Sequence, residues 1–285
     1  MAATALEKLL GELEQDRGLL APDQLRRRAE ALDRLETGLI HAPDPADTHA
    51  AALYHRAEAF ADELEAVDRA LYQSLREDIK QGCGAEALSG WSRELAAEGV
   101  RGEGYDYLDT LASGILQLDE PDLHGNALGA EMVLYQPTPA RHIFDFIHRA
   151  ELGERDVLID MGAGLGHVSL LSAICTSAHC VGIELEQAYV ESASKAAQGL
   201  NLRNVRFLHQ DARSVDLSSG TVFYLFTPFT GSILRHVLGM LEREAATRAI
   251  RVCTLGPCTK VVCAQPWLQA DGATRVDRVA IFRSR

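Results

Sequence analysis

Three acids stand at the ends of three successive apolar runs. Asp160 closes V-L-I-D, Glu184 closes C-V-G-I-E, and Asp211 follows V-R-F-L-H-Q, with Ala212 beside it. Gly162, Gly164 and Gly166 come directly after the first acid, in D-M-G-A-G-L-G-H. Glycine permits a tight turn and lets a ligand approach the backbone closely. In an open parallel sheet such a turn lies at the carboxyl ends of the strands, where ligands bind. Glu184 stands 24 residues after Asp160. An acid there can accept hydrogen bonds from both hydroxyls of a ribose. Asp211, 27 residues further on, can accept a hydrogen bond from an adenine amine. Each acid alone reads equally well as a polar strand terminus or a helix cap. The three together, with glycines at the first, point to a nucleoside site.

The glycine spacing separates the ligands. A dinucleotide fingerprint, G-x-G-x-x-G, places its last glycine three residues after the second. Here Gly166 is two after Gly164, and His167 takes the dinucleotide position. The D-x-G-x-G-x-G form resembles the first motif of class I methyltransferases, and Glu184 and Asp211 match that family's ribose and adenine acids. The resemblance covers about residues 130–285. It implies S-adenosylmethionine as cofactor and S-adenosylhomocysteine as product. The amino-acid end of the cofactor is then expected near Asp160 and the glycine turn, with Ala212 beside the nucleoside.

Two further segments carry the resemblance. Y-Q-P-T-P, Tyr135–Pro139, looks like the segment before the first motif in many methyltransferases of the protein-lysine group. That implies contact of Tyr135 and Thr138 with the methionine end of the cofactor. From the residues alone, Thr138 followed by Pro139 is a helix start, the Thr hydroxyl capping free N–H groups. L-F-T-P-F, Leu225–Phe229, resembles the N-P-P-F segment of amino-group methyltransferases. It departs from that pattern at Thr227, where an Asn or Asp would hold the acceptor amine. A hydroxyl cannot supply an amide's planar donor and acceptor pair, which puts amine methylation in doubt. A helical region before a class I core is also distantly similar to the non-SET histone-lysine methyltransferases. The expected chemistry is in-line displacement, which mainly needs the nucleophile close and aligned. A base is needed only if the acceptor arrives protonated. Thr227, Tyr224 and Tyr135 are the candidate catalytic residues, and Thr227 is also expected to touch the cofactor. His142, Tyr105 and Tyr107 read more readily as structural.

Positioning these residues requires strands that alternate with helices. From Asp156 onward, V-L-I-D-M-G, C-V-G-I-E-L-E, V-R-F-L-H-Q-D-A, T-V-F-Y-L-F-T-P-F and A-I-R-V-C-T-L-G-P read as strands. K-V-V-C-A-Q and R-V-A-I-F-R-S are candidates to close the sheet. Nearly all-apolar strands imply a mostly parallel sheet covered on both faces. The fold expected is α/β and Rossmann-like, preceded by an α-helical N-terminal region. Residues 1–118 are that region, 119–134 a linker or lid loop, and 135–285 the cofactor-binding domain. The clearest helix spans about Asp47–Lys80. In it Leu53, Ala57, Phe60, Leu64, Val67, Leu71, Leu75 and Ile79 draw one apolar stripe. Such a stripe is not stable without a partner surface. The partner expected is the strand-end cleft, with the helices as a lid; a second copy, giving a homodimer, is the alternative. Helices are also expected at Asp23–Ile40, Ala85–Ala97, Tyr105–Leu116, Gln187–Leu200 and Ser232–Ala245.

Composition bounds the rest. The 285 residues carry a formal net charge of −13. Residues 1–100 hold 11 Lys+Arg and 20 Asp+Glu, so the acidity is concentrated there. Phosphate backbones repel such a surface, and no nucleic-acid partner is expected. No apolar run approaches the roughly 18–20 residues that span a bilayer. M-A-A-T-A-L-E-K-L-L-G-E-L-E-Q lacks the features of a signal peptide, so a cytoplasmic location and no membrane partner are expected. The six cysteines form no C-x-x-C pair and suit small buried thiols better than a metal site or disulfides. The acceptor stays unidentified, small molecule or protein. A non-catalytic S-adenosylmethionine-binding protein that recruits a partner through its helices is the rival reading, and a nicotinamide oxidoreductase a more distant one. Valine at Gly162 is expected to fill the space the ligand needs and to leave the fold largely intact.

Overall fold

The computed structural model describes residues 2–40, 47–91, 104–121 and 131–285. The chain divides into two compact units, Met1–Leu75 and Arg76–Arg285.

The first unit is helical. It holds α1 (Ala2–Gln15), a short 3-10 helix (Arg17–Leu20), α2 (Leu25–Leu39) and most of α3 (Thr48–Lys80). Leu6, Leu10 and Leu13 of α1 meet Ala31 and Leu35 of α2 and Leu53, Ala57 and Leu64 of α3 in one core. The first half of the apolar stripe is therefore covered within the chain itself. One buried ion pair crosses this core. Arg28, fully buried, donates from Nε to Asp68 Oδ1 at 2.5 Å and from its other nitrogens to the Leu19, Ala21 and Pro22 carbonyls. Burial raises the Asp68 carboxyl above its usual range, and Arg28 opposes that shift.

The second unit is built on a seven-stranded sheet: β1 (Val157–Met161), β2 (His179–Glu184), β3 (Val205–His209), β4 (Val222–Phe226), β5 (Arg251–Leu255), β6 (Leu268–Ala270) and β7 (Ala280–Ser284). The strand order is β3-β2-β1-β4-β5-β7-β6. The first five pair in parallel, while β7 runs antiparallel to both β5 and β6. Order reverses at β1, so a crevice opens beyond the carboxyl ends of β1 and β4.

The helices of this unit are α4 (Gly84–Ala87), α5 (Tyr107–Leu116), α6 (Ala140–Ala150), α7 (His167–Cys175), α8 (Gln187–Gly199), α9 (Gly231–Ala245) and α10 (Cys258–Cys263). Strand residues alternate between the two faces. Ile159, Ile183, Phe223, Leu225 and Val252 pack with Leu234, Val237 and Leu241 of α9. On the other face Tyr224 meets Phe146 of α6, ring centroids 5.0 Å apart. Residues 92–97 of the helix expected at Ala85–Ala97 lie outside the described residues, as does the loop at 122–130, while its start is the short helix α4.

One strand expectation is corrected. K-V-V-C-A-Q lies in α10 and its end, not in the sheet. Pro257 is well placed at a helix start, and Cys258 and Val262, four apart, are both buried while Val261 is exposed. That is a helical period. The sheet closes instead with β6 and with β7, which contains A-I-F-R-S.

Candidate active site

The strand-end crevice is a cavity of about 550 Å³. Its wall is formed by the ends of β1 to β4, by Pro257 before α10, and by the segment Met132–Thr138. Asp160 is 4% exposed and accepts a hydrogen bond from Ser169 Oγ at 3.2 Å. Burial pushes its carboxyl up to about 7; the charge of Glu184 adds to the shift and the Ser169 hydrogen bonds oppose it.

After Asp160 the chain turns sharply. The Gly162 and Ala163 amides both donate to the Ile183 carbonyl at 2.9 Å, tying the turn to β2. Gly162, Gly164 and Gly166 all have positive φ, at 83°, 54° and 83°, a region that costs other residues strain. Their spare room is already taken by the protein. A Cβ on Gly162 would lie 2.3 Å from Pro228 Cβ, one on Gly164 2.0 Å from the Tyr135 ring, and one on Gly166 2.5 Å from the Phe207 ring. The expectation for valine at Gly162 is corrected accordingly: the first collision is with the loop after β4, so the fold is not spared. Gly162 lines the cavity, while Gly164 and Gly166 sit behind its wall.

Glu184 and Asp211 both reach the cavity. Glu184 also organises the backbone around it. Its Oε2 accepts from Gly164 N at 2.7 Å, and its Oε1 from Leu185 N at 2.7 Å and Glu186 N at 3.0 Å. Each carboxylate oxygen has two acceptor sites, so capacity is left for a ligand. Asp211 is held by Arg213, whose Nη2 donates to Oδ2 at 2.6 Å and whose backbone N donates to Oδ1 at 2.8 Å. The Arg213 hydrogen bond holds the Asp211 carboxyl below its usual range. Ala212 lies between them in the lining.

The segment Met132–Thr138 crosses the cavity from the other side. Val133 N donates to Pro228 O at 3.3 Å, and Met132 forms an antiparallel bridge with Phe229. Glu131 anchors it: its carboxylate accepts from the Ser232 and Ile233 amides, at 2.8 and 3.1 Å, and from Ser232 Oγ at 2.6 Å. A carboxylate at the N-terminus of α9 suits both the free amides and the helix dipole. The Tyr135 ring lies on Gly164, packs 5.0 Å from the Tyr189 ring, and places its hydroxyl 3.1 Å from His167 Nδ1. Thr138 is buried and lines the cavity, but its hydroxyl does not cap α6. The cap comes from Asp109, which accepts from Ala140 N at 2.7 Å and from Asp106 N at 2.7 Å, so one carboxylate serves the starts of both α5 and α6.

Residues 158–253 match a family described as methyltransferase domain. That stretch carries a methyltransferase domain. S-adenosylmethionine is the cofactor of such a domain. No curated protein matches the chain. Similar solved structures include an RNA methyltransferase from Salinibacter ruber in complex with S-adenosyl-L-homocysteine, at 23% identity over 52% of this chain and 92% of that one, TM-score 0.42. A SAM-dependent methyltransferase from Aquifex aeolicus shares 16% identity over 50% of this chain and 87% of that one, TM-score 0.40. A tRNA (uracil-54, C5)-methyltransferase from Pyrococcus abyssi shares 16% over 52% of this chain and 39% of that one, TM-score 0.39.

The candidate catalytic side chains occupy different places. Thr227 lines the cavity with φ 35°, yet its Oγ1 donates to Leu255 O and accepts from Cys258 N, both at 3.2 Å. The hydroxyl joins β4, β5 and α10. Tyr224 lies beneath the floor, fully buried, with the Thr138 hydroxyl beside its own. It is the register partner of Asp160, and burial raises its phenol well above the usual range. Burial does the same to Tyr135, so both stay protonated near neutral pH. His142 is buried outside the lining. Tyr105 donates to Pro137 O at 2.9 Å, steadying the chain before α6. Tyr107 opens α5.

Sequence reasoning missed His167, Tyr189, Glu131 and Asp109. Tyr189 had a readable signal: it sits in the first turn of the helix after Glu184, which must face the same crevice. Burial lowers the His167 imidazole to about 4, so it is neutral and its Nδ1 can accept a hydrogen bond from the Tyr135 hydroxyl. Among the described residues no group of three or more His, Cys, Asp or Glu is placed to hold a metal ion, and the six cysteines are free thiols. No described helix is long and apolar enough to cross a membrane.

Proposed function

We propose that this chain transfers the methyl group of S-adenosylmethionine, by in-line displacement, to an acceptor seated at the β4–β5 end of the cavity. One observation carries the reading. The cavity continues past the acids and the glycine turn to Phe226, Phe229, Ile233 and Pro257, so a lined space lies beyond the cofactor's expected place. Among the described lining residues four acids, Asp160, Glu184, Glu186 and Asp211, stand against a single cation, Arg213, which is paired with Asp211. That balance favours a cationic ligand such as a sulfonium. It disfavours a dinucleotide, whose pyrophosphate would bring negative charge to an acidic wall. In this reading Asp160 faces the ammonium end of the cofactor, Glu184 the ribose hydroxyls and Asp211 the adenine amine. Tyr135 and Thr138 cover the methionine end. Tyr135 and Tyr224 are too weakly acidic to ionise as bases, and Thr227 is occupied, so none of the three takes a proton from the acceptor.

The test has two stages. Calorimetric titration with S-adenosylhomocysteine should show binding by the wild type and loss in Asp160→Ala. Lysate fractions incubated with protein and S-adenosylmethionine should then contain a component heavier by one methylene unit. Binding without any methylated product in any fraction would favour the non-catalytic cofactor-binding reading. Unchanged affinity in Asp160→Ala would remove the site assignment.

A further inference from the structure

The cavity wall divides by charge along the sheet. Five neighbouring strand ends, in the order β3-β2-β1-β4-β5, span about 19 Å at the usual strand spacing. Every charged residue of the described lining stands on the β3-β2-β1 side: Asp160, Glu184, Glu186, Asp211 and Arg213. On the β4–β5 side the described lining is apolar or uncharged, with Phe226, Pro228, Phe229, Ile233 and Pro257, faced by Met132. We infer that the methyl acceptor is a neutral, planar heteroaromatic nitrogen carried by a small apolar molecule. The inference rests on the methyltransferase reading and names the substrate class of the same site.

Four physical points lead there. First, a carboxylate, phosphate or ammonium acceptor would find no counter-ion among the described residues of that half, and unpaired burial of a charge is costly. Second, the two described threonine hydroxyls of that half are engaged, Thr227 with Leu255 O and Cys258 N and Thr230 with Glu131 O. An amine acceptor therefore lacks the side-chain amide that would orient it. Third, an alkyl amine or alcohol must lose a proton, and no described side chain on the β4–β5 side of the cavity is placed to take it. The phenol of Tyr135 stays protonated, and His167 is a weak base whose Nδ1 is engaged by Tyr135. A ring nitrogen has no proton to lose. Fourth, transfer to a neutral nitrogen keeps one positive charge in a cavity whose acids stabilise it, whereas an anionic acceptor would discharge it. Aromatic and proline side chains also give flat surfaces for a planar ring.

The step balances without a co-reactant. The ring nitrogen's lone pair forms the bond to the methyl carbon as the carbon–sulfur bond breaks. That bonding pair returns to sulfur, leaving neutral S-adenosylhomocysteine and an N-methylated ring cation. No proton moves.

The experiment uses the full chain, radiolabelled S-adenosylmethionine at saturation, and three probes: quinoline, butylamine and benzoate. S-adenosylhomocysteine titration comes first. N-methylquinolinium should form roughly tenfold or more faster than either other product, in line with ordinary pocket discrimination. At saturating cofactor its rate should be flat between about pH 6.5 and 8.5, whereas the unprotonated fraction of an amine rises about tenfold per pH unit below its pKa. Preference for butylamine or benzoate overturns the acceptor class, and so does absence of quinoline methylation in a protein that binds S-adenosylhomocysteine. Failure to bind S-adenosylhomocysteine instead overturns the methyltransferase reading beneath it.

Discussion

At the scale of single residues, the glycine turn and Asp160 govern the site in different ways. Gly164 makes room for Tyr135 rather than directly for a ligand. Gly164→Ala should displace that ring and cost about 1–3 kcal/mol of stability from the left-handed backbone alone. Urea denaturation without ligand should register the loss, alongside weaker S-adenosylhomocysteine binding by calorimetry. A loss of affinity with stability intact would mean that the ligand, not Tyr135, needs the space. Asp160 makes a pH prediction. Its carboxyl is raised to about 7, so the folded, cofactor-free protein favours the protonated form. The stabilisation it gives is fully present below about pH 4 and is lost as pH rises through about 7. A cationic cofactor favours the ionised form. Affinity should therefore climb from about pH 5.5 to 8, with proton release on binding. Titration in buffers of different ionisation enthalpy measures that release, and Asp160→Asn should abolish it. A wild-type protein that releases no proton would place the cofactor's cation away from Asp160.

Among the elements, shared polar side chains hold the pieces in register. Asp109 serves the first turns of α5 and α6, and Glu131 the first turn of α9. In the helical unit Arg28 joins α2 to α3 through Asp68 and fixes the turn at Leu19–Pro22. Removing one member strands a buried charge. Arg28→Met should cost about 3–5 kcal/mol, while the pair Arg28→Met with Asp68→Leu should recover much of it. Chemical denaturation of both proteins checks this. Equal losses in the single and double variants would show that the carbonyl contacts of Arg28, not the ion pair, matter most.

For the whole molecule, every described residue lining the cavity falls between Met132 and Pro257. The unit Met1–Leu75 has a hydrophobic core of its own. A chain starting at residue 76 should therefore bind S-adenosylhomocysteine with unchanged affinity. Reduced methyl transfer in the same protein would support a lid or acceptor-admitting role for the helices. Lost binding in a truncated chain that still shows a cooperative thermal transition would show that the helices complete the cofactor site.

The sequence by itself determined the parallel core and the three strand-end acids. Those depend on local patterns: apolar runs of strand length, acids at their ends, and glycines where backbone must turn tightly. It also marked the long helix, since a stripe at three- and four-residue intervals is a property of one segment. Only the tertiary structure decided what each polar group is used for. Thr138 looked like a cap until Asp109, 31 residues before Ala140, took the α6 amide. Thr227 looked free to meet a substrate until β5 and α10 claimed its hydroxyl. K-V-V-C-A-Q fits a strand or a helix locally, and burial of Cys258 and Val262 on one side chose the helix. A hydrogen bond or a buried face needs a partner, and such partners are set by how distant segments pack, which no local pattern encodes.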